Sequence, residues 1–165
     1  MGSYSRRLGF ENFTPVFTYL TCSAEWAYGD GPYHQKVKPE TLVGAARRAA
    51  RERALDEIRD LMEIGGRMCI ENPVGVISRE IRKPTQIIQP HQFGDDASKA
   101  TCLWLNGLMP LAPTDHVAPR LVNGKPRWAN QTDSGQNRLS PGADRWKERS
   151  KTYQGIANAM ADQWG

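Results

Sequence analysis

The hydrophobic positions along the chain predict one long helix, several short strands and a closing helix. From Thr41 to Ile64, apolar residues recur at the three- and four-residue spacing of an amphipathic helix, and Gly65-Gly66 then ends it. Short apolar runs suited to strands follow at 67–70, 85–90 and 101–105, and residues 154–164 return to helical spacing. The stripe of the long helix consists of Val43, Ala46, Ala50, Ala54, Ile58 and Leu61.

The order of these elements predicts an α/β fold. A helix followed by short apolar strands is typical of an α/β layer, and residues 17–22, rich in strand-forming side chains, precede the helix. We expect a loop at 29–40, which holds two glycines and two prolines. Residues 106–144 have little periodicity and predict a long irregular segment within a single domain spanning 1–165.

Composition excludes several classes of protein. Hydrophobic residues make up 39% and charged residues 24%, which is a globular rather than a disordered composition. No apolar run reaches the roughly 20 residues of a membrane span, and no apolar stretch follows Arg6-Arg7 as in a secretory signal. We therefore expect a cytoplasmic protein, with no membrane partner.

The cysteines and histidines do not indicate a metal site. No Cys-x-x-Cys pair occurs, and the three histidines are far apart in the sequence. Cys69 and Cys102 lie in apolar runs, so we predict that both are small core residues and that the thiols are reduced. The residues concerned are Cys22, Cys69, Cys102, His34, His91 and His116.

Positive charge is concentrated near the C-terminus. The net charge is +4, and residues 119–151 carry eight basic and three acidic residues, so this stretch accounts for the whole surplus. Trp128 and Trp146 are interleaved with these cations, as in surfaces that stack on bases and attract phosphates. The alternative is a solvated loop with scattered cations. The candidate nucleic-acid-binding residues are Arg127, Arg138, Arg145, Lys147, Arg149 and Lys151.

A second candidate site lies at the end of the first apolar strand after the long helix. Glu71-Asn72-Pro73 follows residues 67–70, and open α/β sheets bind ligands beyond the carboxyl ends of their strands. A protonated carboxyl there could donate to a ring nitrogen, and an ionised one could accept from an exocyclic amine. The alternative is a strand-ending turn with a solvated glutamate.

These residues carry a family resemblance. Glu71-Asn72-Pro73 after an apolar strand resembles the ENV or ENP element of DNA cytosine-5 methyltransferases. Four further segments are similar, in the same order, to segments of small phage and prophage proteins labelled as such methyltransferases. They are residues 17–21, KPTQIIQPHQFG at 83–94, KATCLWL at 99–105 and the tail at 149–161. The resemblance covers roughly residues 14–165 and implies part of a Rossmann-like methyltransferase sheet with flanking helices.

The resemblance also implies a mechanism. In the family, a cysteine thiolate adds to C6 of a flipped-out cytosine, the ENV glutamate engages N3 and the exocyclic amine, and C5 takes the methyl group of S-adenosylmethionine. Glu71 matches that glutamate, which implies a base-recognition role. Phe17 stands where the family has its nucleophile, and residues 1–14 contain only Gly2 and Gly9 instead of the Phe-x-Gly-x-Gly cofactor loop. The resemblance therefore implies impaired catalysis and leaves S-adenosylmethionine a doubtful cofactor.

Several explanations of these departures stay open. The chain could be an N-terminally truncated copy, a pseudoenzyme that still contacts DNA, or the complement of another chain. A partial sheet leaves an edge at which a homodimer or a complementing chain could pair. The alternative from a different functional class is a non-enzymatic phage protein that inhibits a host defence complex.

Overall fold

The computed structural model describes residues 42–139, 148–149 and 151–165, together with the backbone of 14–17. The predicted loop at 29–40 and the candidate residues Arg145 and Lys147 lie outside the described residues. Cys22, His34 and Trp146 lie outside them as well. Within the described ranges, no helix is both long enough and apolar enough to cross a bilayer.

The predicted long helix is confirmed as α1, Gly44–Glu63. Ala54 and Ile58 of the predicted stripe are buried, whereas Ala46 near the beginning of the helix is exposed. The helix ends where Gly65 and Gly66 take positive φ values of 76° and 79°, a conformation that glycine adopts without steric cost.

Four strands form one mixed sheet. They are β1 (Thr14–Phe17), β2 (Met68–Pro73), β3 (Gln86–Ile88) and β4 (Thr101–Asn106), and their order in the sheet is β1-β2-β4-β3. β1 runs parallel to β2, whereas β4 is antiparallel to both β2 and β3. β1, β2 and β3 therefore run in one direction, and β4 is reversed between the last two. The predicted α/β class and the three strands predicted after the long helix are confirmed, whereas the strand-like run at 17–22 lies, beyond Phe17, outside the described residues.

Helices cover both faces of this sheet. Alternation along β2 directs Met68 and Ile70 into a cluster with Ile58 of α1. Cys69 of the same strand belongs to a second cluster that holds Trp164. That tryptophan lies on the closing helix α3 (Gln154–Trp164), which the spacing of residues 154–164 predicts correctly. Trp164 is fully buried, as is Trp104 of β4, which packs on the α1 side.

The long segment that follows β4 is not irregular throughout. It contains a hairpin of β5 (Arg120–Val122) and β6 (Lys125–Arg127), which the expectation of a structureless 106–144 segment missed. The turn is Asn123-Gly124 with φ values of 51° and 74°, and this dipeptide is the strongest short-range signal for a two-residue hairpin turn.

The start of α3 is fitted tightly against the segment that follows β3. The Gly155 N–H donates to Asp95 Oδ2 over 2.9 Å, which satisfies one of the unpaired donors at the helix N-terminus. A Cβ added at Gly155 would overlap the carbonyl oxygen of Phe93 and lie 2.7 Å from the Phe93 carbonyl carbon. Only glycine fits here without moving the helix away from the sheet.

Candidate functional site

A cleft lies where β2 ends and β4 begins. A cavity of about 340 Å³ is lined there by Pro73 and Val74 on one side and by Lys99 on another. A cavity of about 480 Å³ adjoins it, and we call the two together the strand-end cleft. Because β2 is the middle strand of the parallel set, the cleft occupies the position beyond the strand ends where open α/β sheets bind ligands. The two cavities share Asn130, Asn137, Leu139, Glu148, Lys151 and Tyr153.

Glu71 does not line either cavity, but it lies on β2 two residues before Pro73, which does. The expectation that the strand ends before Glu71 is wrong, because β2 continues through Pro73, with Glu71 paired with Phe17 of β1 and Leu103 of β4. Alternation places the Glu71 side chain on the same face as Pro73, which lines the cleft about 7 Å further along the strand. The half-buried Glu71 carboxyl thus points to the side of the sheet that α3 covers.

The surroundings of Glu71 favour its protonated form. Burial raises the pKa of the Glu71 carboxyl above its ordinary value, and the Lys99 ammonium partly offsets this rise. A carboxyl that keeps its proton to higher pH can donate one hydrogen bond and accept another. This side chain therefore suits a partner that carries an acceptor next to a donor.

Glu71→Gln is expected to change how stability depends on pH. The native state keeps the Glu71 proton to higher pH than the unfolded chain, so wild-type stability should fall relative to the variant as pH rises above 4.5, the ordinary value of this carboxyl. Urea unfolding of both proteins from pH 4 to pH 8 measures the difference. A difference that stays constant across this range would contradict the raised pKa.

Lys99 joins three parts of the cleft, and sequence reasoning missed it as a site residue. Its Nζ donates to the Arg149 carbonyl over 3.0 Å and lies 5.9 Å from the centre of the Tyr153 ring. Its backbone N–H donates to the side chain of Gln89 over 2.9 Å. The signal that could have found it is its position directly before β4, at the same end of the sheet as the carboxyl end of β2.

Asn130 and Tyr153 fix the loop that forms the outer wall. Asn130 Oδ1 accepts from the Ser98 N–H over 3.0 Å, and Asn130 Nδ2 donates to the Ser98 carbonyl over 2.9 Å. Nδ2 also lies 3.5 Å from the Tyr153 hydroxyl, whose pKa burial raises. These side chains present amide and aromatic groups to the cleft, and nothing in the sequence pattern singles them out.

Three of the predicted cations line the cleft. Lys151 Nζ contacts the Glu148 carboxylate at 2.7 and 2.9 Å, and Arg138 Nε donates to the Gln131 carbonyl over 2.8 Å. Arg149 lies in the wall of the smaller cavity. The structure therefore places Arg138 in the same cleft as Arg149 and Lys151, although it lies more than ten residues before them in the sequence.

Arg127 is placed differently from the other predicted cations. Its Nε donates to the Asp133 carbonyl over 3.0 Å and its Nη1 to the Pro126 carbonyl over 2.8 Å. Trp128 is also engaged within the fold, because one face stacks on His91 with ring centres 4.3 Å apart and its indole N–H donates to the Val117 carbonyl. Both side chains hold the long segment together.

The described cysteines have the environment of core residues, as predicted. Cys69 and Cys102 are buried, on opposite faces of the sheet. Burial raises the pKa of both thiols, and the Glu71 carboxylate adds to the rise. Neither thiol is therefore suited to act as a thiolate nucleophile near neutral pH.

The cofactor loop that the resemblance implies falls in residues 1–14, which, except for the backbone of Thr14, lie outside the described residues. Within the described residues, the turn that leaves β2 is Val74-Gly75-Val76, and it leads into the single-turn helix α2 (Ile77–Glu80). A dinucleotide-type site has several glycines opening a long helix, whose N-terminus faces the ligand. We therefore derive no step through S-adenosylmethionine. Comparisons of the chain with protein-family models, with curated proteins and with solved structures found no match.

Proposed function

We propose that this protein is a DNA cytosine-5 methyltransferase-like protein that binds an unstacked cytosine at the strand-end cleft without transferring a methyl group. The observation that carries the proposal is Glu71, a half-buried carboxyl with a raised pKa beside a cleft at the carboxyl end of β2. Buried carboxyls are costly to keep, and they are concentrated at functional sites.

The fold supports a partial Rossmann-like methyltransferase sheet. β1, β2 and β3 run in one direction, and helices α1 and α3 pack on opposite faces, as in doubly wound α/β folds. The connection from β1 to β2 contains α1, which is the order of a βαβ unit. The strand-end cleft then has the position of the ligand site in such folds.

The chemistry of Glu71 is complementary to cytosine. The base presents a ring acceptor at N3 beside the donor amine at N4, and a protonated carboxyl presents a donor beside an acceptor. A protonated carboxyl can carry its proton on either oxygen, so it also fits the N3 donor and O4 acceptor of thymine, whereas 2-pyrimidinone lacks the N4 amine and offers no donor beside N3. The cleft can hold a base only after the base leaves the stack, because its edge is otherwise paired within the duplex.

The register of the parallel pair supports binding without catalysis. Phe17, at the position where the resemblance expects the nucleophile, is the direct partner of Glu71 across β1 and β2. A phenyl ring cannot add to C6 of the base, and the thiols of Cys69 and Cys102 are buried. This arrangement supports base recognition by Glu71 without an accessible cysteine nucleophile among the described residues.

Binding to duplexes that hold one unpaired base tests the proposal. A cytosine opposite an abasic site is easily extruded, so the protein should bind it about tenfold more tightly than a 2-pyrimidinone in the same position, because only cytosine has the N4 amine that donates to the carboxyl. Glu71→Ala should remove this preference, because alanine carries neither the donor for N3 nor the acceptor for the N4 amine. Fluorescence anisotropy at fixed salt measures both affinities.

Glu57→Ala is the matched control, because Glu57 is an exposed acid on α1, away from the cleft. It should retain the preference for cytosine. Equal affinities of the wild-type protein for cytosine and 2-pyrimidinone would refute the base-recognition role of Glu71, and no measurable DNA binding would refute the proposed function as a whole.

A further inference from the structure

The β5–β6 hairpin presents an apolar pair to solvent. Leu121 of β5 is directly opposite Pro126 of β6 in the strand register. The Leu121 side chain is 72% exposed, and Pro126 is also exposed. An isolated two-stranded hairpin is only marginally stable in water. Contacts at its base must therefore hold it in place while these side chains are exposed.

The base of the hairpin is fixed by its own cations. Arg120 Nη1 contacts Asp133 Oδ1 at 2.6 Å, and Arg120 Nη2 donates to the Gln131 carbonyl over 2.9 Å. Arg127, opposite Arg120 in the register, donates to the Asp133 carbonyl. Lys125 is exposed directly after the turn, and alternation along β6 places it on the face of the ribbon opposite Pro126, at the outer end of the hairpin.

The hairpin is attached to the wall of the strand-end cleft. A Cβ added at Gly135 would lie 3.0 Å from Arg127 Cζ, so the guanidinium packs directly on that glycine, which lines the smaller cavity. Gln131, which accepts from Arg120, lines the same cavity. A ligand large enough to extend beyond the cleft therefore meets the hairpin.

The charge around the apolar pair selects the kind of ligand. Residues 117–133 contain Arg120, Lys125 and Arg127 and one acidic residue, Asp133, which pairs with Arg120, so a net charge of +2 remains. A cationic ribbon with an exposed apolar pair suits the duplex minor groove, where proteins insert leucine and proline side chains between base steps while cations contact the phosphates. A protein surface of ordinary composition carries less negative charge than the DNA phosphates, so it would be less complementary to these cations.

We propose that the β5–β6 hairpin enters the minor groove of DNA beside the strand-end cleft, with Leu121 and Pro126 inserted at a base step and Lys125 on a phosphate. This inference rests on the proposed function, because it names how the same DNA is held next to the base in the cleft. The inserted side chains replace part of the stacking that the extruded base gives up, so they lower the cost of extrusion.

The test uses a duplex with 2-aminopurine beside the unpaired cytosine. The fluorescence of 2-aminopurine rises when it loses stacking with its neighbours. Wild-type protein should raise the fluorescence on binding. Leu121→Ala should abolish most of the rise and weaken binding about fivefold, with an unchanged salt dependence. Lys125→Ala should reduce the slope of log affinity against log salt by about 0.9, the value of one phosphate contact.

Met109→Ala is the matched control, since Met109 is a similarly exposed apolar side chain outside the hairpin. It should change neither the fluorescence nor the affinity. The hairpin proposal would be overturned if Leu121→Ala and Lys125→Ala bind DNA and raise the fluorescence as the wild type does. If the Glu71-dependent preference for cytosine persists in these variants, the proposed function stays in place. The hairpin proposal would also be overturned if the chain binds a protein tightly and Leu121→Ala abolishes that binding while DNA binding is unaffected.

Discussion

Replacing Gly155 by alanine is expected to lower the free energy of unfolding by about 3 kcal/mol, at the upper end of the cost of overpacking a core. The added Cβ would overlap the Phe93 carbonyl oxygen, a backbone atom that cannot rotate away. It would also lie 2.9 Å from Asp95 Oδ2, the acceptor of the Gly155 N–H. Relief requires α3 to move off the sheet, which opens the cluster around Trp164.

The sign of this effect separates packing from helix propensity. Alanine is a better helix former than glycine by about 1 kcal/mol, and Gly155 lies within α3, so propensity alone predicts a more stable protein. Urea unfolding followed by tryptophan fluorescence measures the change, because Trp104 and Trp164 are both buried and both become exposed on unfolding.

Gly75→Ala provides the matched control. A Cβ at Gly75 would meet only the Pro73 carbonyl oxygen, at an ordinary contact distance of 3.7 Å. The substitution also restricts the unfolded chain, so its effect should stay within about 1 kcal/mol. A Gly155→Ala protein as stable as the wild type would show that α3 is not held against Phe93 as described.

The parts of the fold that repeat a pattern could be predicted from the sequence. Ile156, Ala159, Met160 and Trp164 recur at helical spacing, and all four are buried on one face of α3. The strand β4 could also be predicted, because its apolar run at 101–105 is continuous and is buried throughout. Periodicity succeeds here because burial of one face stabilises each element against the same sheet.

The outer wall of the cleft could not be predicted in this way. Asn130 is held by the Ser98 backbone, and the two residues are far apart in sequence with no shared pattern. The hairpin, in contrast, had a local signal in Asn123-Gly124, which the low periodicity of its surroundings obscured. Irregular chain is positioned by individual hydrogen bonds, and a single sequence does not specify which bonds form.

Charge pattern alone also could not separate the two uses of the cations. Arg127 and Arg138 occur in the same basic stretch, yet Arg127 packs on Gly135 at the base of the hairpin and Arg138 lines the cleft. A positive surplus predicts that a polyanion is attracted, whereas the geometry decides which side chains face it. The cations in the cleft wall are therefore the ones that we expect to determine DNA affinity.

Changing three cations of the cleft wall, Arg138, Arg149 and Lys151, together to alanine is expected to weaken DNA binding about 100-fold at 0.15 M salt. Each cation that contacts a phosphate contributes about 0.9 to the slope of log affinity against log salt, so the slope should fall by about 2.7. Removal of Lys151 also leaves the Glu148 carboxylate without its contact in the cleft wall, which adds repulsion of phosphates.

The control removes the same charge from the other side of the sheet. Arg48, Arg53 and Arg59 lie on α1, which packs on the face opposite α3. Replacing them by alanine should weaken binding less than threefold, because charges beyond the Debye length of about 8 Å are largely screened. Binding titrations of the three proteins from 0.05 to 0.3 M salt give both slopes. Equal losses in the two triple variants would mean that net charge attracts the DNA and that the cleft has no special role.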